Sequence, residues 1–557
     1  MKVSVVDRYL QWCVLVCVIS VTLLVTPFNT LDYVNLPKLS LLIFIAFIAL
    51  GLLSSKRDYL RDKSFRTPLV VISVFIFELI LVFLKDSQSV SFKLFGTPSR
   101  NTGFLAYLSL SIIFLISLIS ARYSLLKRYV WTLVIVGIAL ALYGLAQSRG
   151  FDFYEFDNPY SSNVFGTFGN PNFQSAFMGM FAAVALTIAF FSKVRIQIKV
   201  MLFLLFGTAI TNIFLSSLQG YISFAFGFAA VTVIYFFKNN SKLTSLTLFC
   251  TMCVGGILVG LGMLDKGPLA DLIYKSSVQA RVYFWSSALT MMREHPFFGV
   301  GFDGYGDWYR RSRSFEVAQT NPGIVADTAH NIPLDIGTSG GFPLLILYLA
   351  LIGLALRAII RVVKRNNEFD VIFAALVAAW VAYQAQSLIS INQLGLGVWG
   401  WSLTGLLIGY EINSRNDSPV KNQSSEGKRK SITEMLSAGT LLVTFITSSV
   451  GVAIALPPFL AANNFYKALQ SGDANVIQPA AYLQPYDRSR FLYVSKILAQ
   501  NNLESRAIDV LRYASRMYPD SFELWEQWSI IPSADPLDAA NAKAQMKRLD
   551  PYNPNLV

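Results

Sequence analysis

The feature that most constrains this chain is a series of apolar blocks, each long enough to cross a bilayer. A helix needs about 20 consecutive apolar residues to span the hydrocarbon. Thirteen stretches read that way, near 9–27, 37–54, 67–84, 103–120, 129–148, 173–192, 200–216, 221–237, 243–263, 334–356, 371–391, 394–411 and 436–458. What remains is short loops, one long loop at 264–333 and a polar tail from 459 onward. Charged residues make up only 14% of the 557 residues, where a soluble domain carries about 25%. The pattern excludes a disordered chain and fits an ordinary soluble enzyme poorly. It predicts an all-α, polytopic membrane protein with about thirteen transmembrane helices. The expected division is a transmembrane core at 1–458 and a small helical extracytoplasmic domain at 459–557.

The basic surplus, 46 Lys and Arg against 33 Asp and Glu, reads as a topology signal, so no nucleic-acid partner is expected. Loops at 55–66, 121–128, 193–199, 238–242, 357–365 and 412–434 are rich in Lys and Arg, and they alternate along the chain. The intervening short loops are poorer in both, and 149–172 carries Asp152, Glu155 and Asp157. The positive-inside rule puts the basic loops and the N-terminus in the cytoplasm. The long loop and the tail then lie outside the cytoplasmic membrane, whose lipids surround the spans. The first segment lacks a small-x-small cleavage site and runs straight into a second span, which predicts a retained helix.

Cys13, Cys17, Cys250 and Cys253 all fall inside predicted spans. The Cys250-Thr-Met-Cys253 spacing is that of a redox or metal pair, but in an apolar helix small packing residues are the plainer reading. Glu78 is the one acidic residue deep in a span. Ion-coupled carriers need several such groups, so attention moves to the outer face.

In the tail, Leu483-Gln-Pro485-Tyr-Asp487, Met517-Tyr-Pro519-Asp520 and Leu549-Asp-Pro551-Tyr-Asn553 share a turn pattern. The spacing of their prolines is close to the tetratricopeptide period of about 34 residues. Ala481, Ala499, Ala507 and Ala514 offer close helix contacts. The tail resembles a short, degenerate tetratricopeptide array, the alternative being a generic helical cap. Either way it holds no obvious chemistry, and docking of a protein partner or guidance of an acceptor is its expected use.

The long loop holds both histidines, His295 and His330, and the arginines Arg281, Arg293, Arg310, Arg311 and Arg313. Residues 278–293 read as a helix with Val278, Val282, Trp285, Leu289 and Met292 on one apolar stripe. Arg281 lies beside that stripe, where it can reach a phosphate at the membrane surface; the plainer alternative is a snorkelling or ion-paired arginine. Gly299-Val-Gly301-Phe-Asp-Gly304 matches a dinucleotide fingerprint only by letter, because it follows a helix and a proline with no strand before it. His330, in Asp327-Thr-Ala-His330-Asn331, is the expected general base. A neutral imidazole can take a proton from a sugar hydroxyl near neutral pH, and Asp327 or Asn331 can orient its ring. The alternative is a histidine that only caps the following helix. His295, beside Pro296, reads as a turn residue. Asp303 and Asp307 are weak evidence for a metal, and none is expected.

His330-Asn331, followed nine residues later by Gly341-Phe342-Pro343, is similar to the signature of the O-antigen ligase and polymerase superfamily. So are Arg281-Val-Tyr-Phe-Trp285, Glu294-His295-Pro296-Phe-Phe-Gly299-Val-Gly301, Gly166-Thr-Phe-Gly169-Asn170-Pro171-Asn172, Ser217-Leu-Gln-Gly220 and Arg100-Asn-Thr-Gly103. The resemblance covers most of residues 20–410. It implies a membrane glycosyltransferase of the GT-C type, which moves a glycan from a polyprenyl (undecaprenyl-type) diphosphate carrier to a glycan, lipid or protein acceptor in cell-envelope polysaccharide biosynthesis. It implies that His330 activates the acceptor hydroxyl, that Arg281 holds the donor diphosphate, and that no cofactor or bound metal takes part. Arg100, Arg310, Arg311, Arg313 and Asn331 are the further expected substrate-binding residues; for the arginine group the alternative is a solvated or headgroup-binding patch. Two departures stand out. Leu344 replaces a frequent glycine, and Asn163 and Gln219 stand near positions where several members carry arginine. A polymerase of lipid-linked repeats and a protein O-oligosaccharyltransferase remain alternatives within the class. A lipid-linked-sugar transporter and an inactive scaffold remain alternatives outside it.

Overall fold

The computed structural model describes residues 4–26, 32–56, 58–152, 163–415 and 436–556. Arg57, Glu155, Asp157, Lys421, Lys428, Arg429 and Lys430, all in loops used above for topology, lie outside these residues. Every regular element among the described residues is helical, and a helix falls on each of the thirteen apolar stretches. Ten are long and apolar enough to cross a membrane: Val5–Leu23, Asn35–Leu53, Lys63–Lys85, Tyr123–Gln147, Pro171–Phe191, Ile196–Ser216, Gln219–Lys238, Lys242–Met263, Ile332–Arg365 and Ala438–Gln470. The chain is thus a multi-pass membrane protein. Phe104–Ser120 and Val371–Ser387 have 17 residues each, about 26 Å at 1.5 Å per residue, short of the roughly 30 Å of hydrocarbon. Both bury most of their side chains. A helix walled by other helices need not match the lipid thickness.

Leu394–Asn413 is the third helix outside the group of ten and sits at the centre of the bundle, nearly all of it buried. Its glycines let it close on Phe104–Ser120: a Cβ at Gly405 would lie 2.4 Å from the carbonyl oxygen of Phe114. Small residues at such contacts allow backbones to approach where no hydrophobic force drives helices together. Lys38, a cation missing from the sequence reading, is fully buried. Its ammonium donates to the carbonyls of Val21 (2.9 Å) and Thr22 (2.8 Å), which the end of the first helix leaves free.

One end of the bundle gathers the basic loops. There Lys56 and Arg122 face buried Asp7, and Arg365 and Arg415 face Glu411. The other end carries the long loop and the tail. Ala438–Gln470 packs along Asn35–Leu53 and runs on into the tail. The tail's helices are Ala474–Ala480, Arg488–Gln500, Glu504–Met517, Phe522–Ser529 and Pro536–Leu549. They close on their own core, which includes Phe491, Leu498, Leu511, Ala514 and Trp525.

Candidate functional site

The loop helix predicted at 278–293 spans Ser276–Glu294. Its inward face is Phe284, Ala288 and Met291, which pack on Val300, Tyr305, Tyr309 and Ala329. On the apolar stripe read from periodicity, Met292 is buried and Leu289 is 42% exposed. At a membrane surface both faces of a helix carry apolar residues, so the period alone did not identify the protein side.

The long helix Ile332–Arg365 breaks at Gly340 and Gly341, just before Pro343. The glycine-rich turn fills that break. The N–H of Val300 donates to the Thr338 carbonyl (2.7 Å), and that of Phe342 donates to the Pro296 carbonyl (2.8 Å). Gly341 has φ +69° and ψ −168°, a region open essentially to glycine alone. A Cβ there would lie 2.4 Å from the Pro296 oxygen. The two motifs are therefore halves of one joint, and the joint holds the helix that follows His330.

His330 has φ +52°, an uncommon conformation for a residue with a Cβ. Its ring lies against Phe284, centroids 5.4 Å apart. Nδ1 is 3.2 Å from the Thr328 hydroxyl and 3.4 Å from the Thr328 carbonyl oxygen. A carbonyl can only accept, so this pairing is met when Nδ1 carries the proton and Nε2 keeps a free lone pair. Thr328, not Asp327 or Asn331, therefore orients the imidazole. Burial, with the charges of Arg100 and Arg281, lowers the His330 pKa to about 4. Asn331 is the helix N-cap. Its side-chain oxygen accepts from the N–H of Leu334 (3.1 Å), and its amide donates to the Leu388 carbonyl (2.9 Å).

Arg100 reaches the same place from the 96–103 loop. It forms a bidentate pair with Asp327, Nε to Oδ2 at 2.6 Å. Asp303 holds that loop in position, accepting from the N–H of Thr97 (2.9 Å), the N–H of Thr102 (3.1 Å) and the Thr102 hydroxyl (2.5 Å). The Gly166–Asn172 segment abuts this region. Thr167 donates to the Thr22 carbonyl (2.8 Å), and Asn170 caps the helix Pro171–Phe191. Ser217 bonds Asn172 (2.6 Å). Asn163 is exposed, whereas Gln219 is buried and donates to Gln386 (3.3 Å).

The other three arginines lie elsewhere, at the joint with the tail. Arg313 and Asp550 are both fully buried, and Arg313 Nη2 donates to both carboxylate oxygens at 2.9 Å. Arg310 lies 3.6 Å from Asp550 and 3.8 Å from Glu523, and its guanidinium covers the Phe522 ring at 3.9 Å. Arg311 pairs with Asp520 at 3.3 Å. Asp307 pairs with Arg488 of the tail. The structure brings Arg100, Arg281 and His330 together and places Arg310, Arg311 and Arg313 in contact with the tail's acids. Among the described residues no three His, Cys, Asp or Glu side chains assemble as a metal set.

Arg281 differs from all these arginines. Among the described residues it has no carboxylate partner, and its buried Nε makes no hydrogen bond. Burial lowers its pKa, and its charge is felt at the His330 ring. An unpaired, partly desolvated guanidinium is a ready ligand for a phosphate anion. Thr328 was not picked out in the sequence, where the Thr-x-His spacing was the one available hint, and Asp303 entered only as weak evidence for a metal.

A search of curated proteins finds no match to the chain. A family model described as O-Antigen ligase matches residues 171–349, a span that includes Arg281, the glycine turn, His330 and the helix break. Over residues 171–349 the multi-pass chain is thus similar to the O-Antigen ligase family.

Proposed function

We propose that the protein is a glycosyltransferase at the outer face of the cytoplasmic membrane, moving a glycan from a polyprenyl-diphosphate carrier to an acceptor hydroxyl. One observation carries this reading: Arg281, without a carboxylate partner among the described residues, lies one helical turn from Phe284, whose ring packs on His330, and its charge acts on that imidazole, whose Nε2 keeps its lone pair. In the reaction the acceptor oxygen forms a bond to the anomeric carbon while the bond from that carbon to the diphosphate oxygen breaks. The hydroxyl proton passes to His330 Nε2. Arg281 takes up the charge that grows on the leaving diphosphate. Direct attack gives inversion at the anomeric carbon.

The low basicity of His330 fits this sequence of events. In the free protein Arg281 and Arg100 disfavour the imidazolium. A diphosphate bound at Arg281 reverses the local field and raises the affinity of the ring for a proton. The donor thereby prepares the base that acts on the acceptor. The sidedness rests on the basic loops gathering at the opposite end of the bundle. The tail, which we read as a separate helical domain of tetratricopeptide type, lies beside the acceptor approach.

The test uses purified protein, a labelled polyprenyl-diphosphate oligosaccharide, extracted acceptors and EDTA. Label should appear on a larger product with the parent but not with His330→Ala or Arg281→Ala. Equal transfer by His330→Ala removes the base. Donor binding without transfer by the parent, with competent acceptor present, overturns the assignment.

A further inference from the structure

Asp335 stands one helical turn past Asn331, and its side chain reaches back to the residue before His330. Its Oδ1 accepts from the backbone N–H of Ala329 at 2.7 Å. Ala329 is fully buried, so this bond lies away from water. The same peptide group carries the Thr328 carbonyl, and that carbonyl is one of the two partners of His330 Nδ1, at 3.4 Å. A trans peptide is planar, with its N–H and its C=O pointing opposite ways. Asp335 therefore holds one edge of the plane, and the imidazole bonds the other.

Asp335 is itself firmly mounted. Its N–H donates to the Asn331 carbonyl (2.8 Å), and its carbonyl accepts from the hydroxyls of Thr338 (3.0 Å) and Ser339 (2.8 Å). Thr338 is the residue whose carbonyl takes the N–H of Val300 at the glycine joint. A line of hydrogen bonds thus runs from the glycine turn through Thr338 and Asp335 to the Thr328–Ala329 peptide, and on to the ring.

Arg100 on Asp327 and Asn331 on Leu388 pin the two ends of the 327–331 segment. Neither fixes the peptide plane between Thr328 and Ala329, which can still turn about the soft dihedrals on either side of it. Were it to turn, the Thr328 carbonyl would leave Nδ1, and only the Thr328 hydroxyl, 3.2 Å away, would remain. A hydroxyl both donates and accepts, so it does not choose between the two tautomers of the ring. A carbonyl chooses, because it only accepts. An acceptor held against the N–H also polarises the peptide and strengthens its carbonyl as an acceptor.

We infer that Asp335 is a positioning residue for His330, keeping the proton on Nδ1 and the lone pair on Nε2 through the Thr328–Ala329 peptide. This rests on the transfer reading above for its effect on rate, and it adds the residue that sets the tautomer of the base. The arrangement follows the general logic of a base oriented by a third group, with a peptide placed between the two.

The experiment uses the full chain in lipid nanodiscs, with isotope-labelled histidine nitrogens read by solid-state NMR at neutral pH, where the ring is uncharged. The signal lost in His330→Ala identifies His330. The parent should show the Nδ1–H tautomer. Asp335→Ala, which adds no bulk, should bring in the Nε2–H tautomer. It should also lower kcat about 10- to 100-fold per donor-binding site, with the donor and acceptor KM values within about twofold of the parent. Asp335→Asn keeps an acceptor oxygen for the Ala329 N–H. It should restore the tautomer of the parent and bring kcat back to within about threefold. An Nε2–H ring in the parent overturns the inference before any variant is made. So does a parent tautomer retained in Asp335→Ala, or an asparagine variant no better than the alanine one. The expected tautomers without transfer by the parent would sink the transfer reading and leave the placement of the ring by Asp335 standing.

Discussion

Replacing Asp550 by alanine should detach the tail from the long loop. The carboxylate is fully buried and accepts two hydrogen bonds from Arg313 Nη2 at 2.9 Å and one from Asn553 at 2.9 Å. Hydrogen bonds between charged groups contribute about 1.5–3 kcal/mol each. Breaking a buried pair from one side costs about 3–5 kcal/mol, because the remaining charge is left in a low dielectric. Arg313 Nη1 would keep the carbonyls of Pro322 (2.9 Å) and Ile324 (3.2 Å), which places the cost toward the lower end. A loss of about 3–4 kcal/mol raises the open population of the joint roughly 10²- to 10³-fold. Hydrogen exchange reads this directly as faster exchange in the helices Tyr305–Ser312 and Pro536–Leu549. The double variant Arg313→Met, Asp550→Leu buries no charge and should recover most of the protection. Were Arg313 a diphosphate ligand instead, Asp550→Ala would leave exchange unchanged and tighten donor binding. Exchange within about threefold of the parent, or a double variant no better than the single, refutes the reasoning.

Three further outcomes follow. Since His330 works deprotonated, kcat/KM should be flat from about pH 5.5 upward and fall as pH drops through about 4. The acid limb of kcat, with donor bound, should sit at higher pH; a kcat/KM limb at an ordinary imidazole pKa would contradict the field argued for Arg281 and Arg100. Gly341→Ala should cost about 3 kcal/mol or more in thermal unfolding, from its backbone conformation and the clash with the Pro296 oxygen. Gly353→Ala, on the same helix with open space around it, should be near neutral. Asp303→Asn removes the charge that holds the N–H groups of Thr97 and Thr102 and turns one of its two acceptor oxygens into a donor. It should cost about 1–3 kcal/mol, speed exchange across residues 96–103 and lower kcat; unchanged exchange there would remove the anchor.

The bundle was legible because bilayer length and apolar composition are properties of local sequence. Each predicted stretch carries a helix, although three of these helices lie outside the group that length and composition alone mark as spanning. Those three are shaped by their helical neighbours, which a window of sequence does not see. Arg281 and His330 were marked by residue type and spacing, and the charge of Arg281 acts at the His330 ring. Arg310, Arg311 and Arg313 could not be sorted from them by sequence, because what separates the two groups is the partner. Asp550 and Asp520 lie more than 200 residues away from these arginines. Lys38 was passed over because a lysine at the edge of an apolar block looks like a loop charge until the carbonyls of Val21 and Thr22 are seen above it.

The buried pair at the tail also sets an order of events in time. Arg313 and Asp550 are 237 residues apart in the chain. At synthesis rates of about 5–20 residues per second, the arginine waits on the order of ten to fifty seconds for its carboxylate to be made. During that interval a dry site for Arg313 would hold a bare charge, so the segment around it must stay wet and open. The Arg100–Asp327 pair is complete as soon as the long loop has been made. In a newborn molecule the region beside His330 therefore settles first, and the outer wall of the loop sets only when the last helix of the tail arrives.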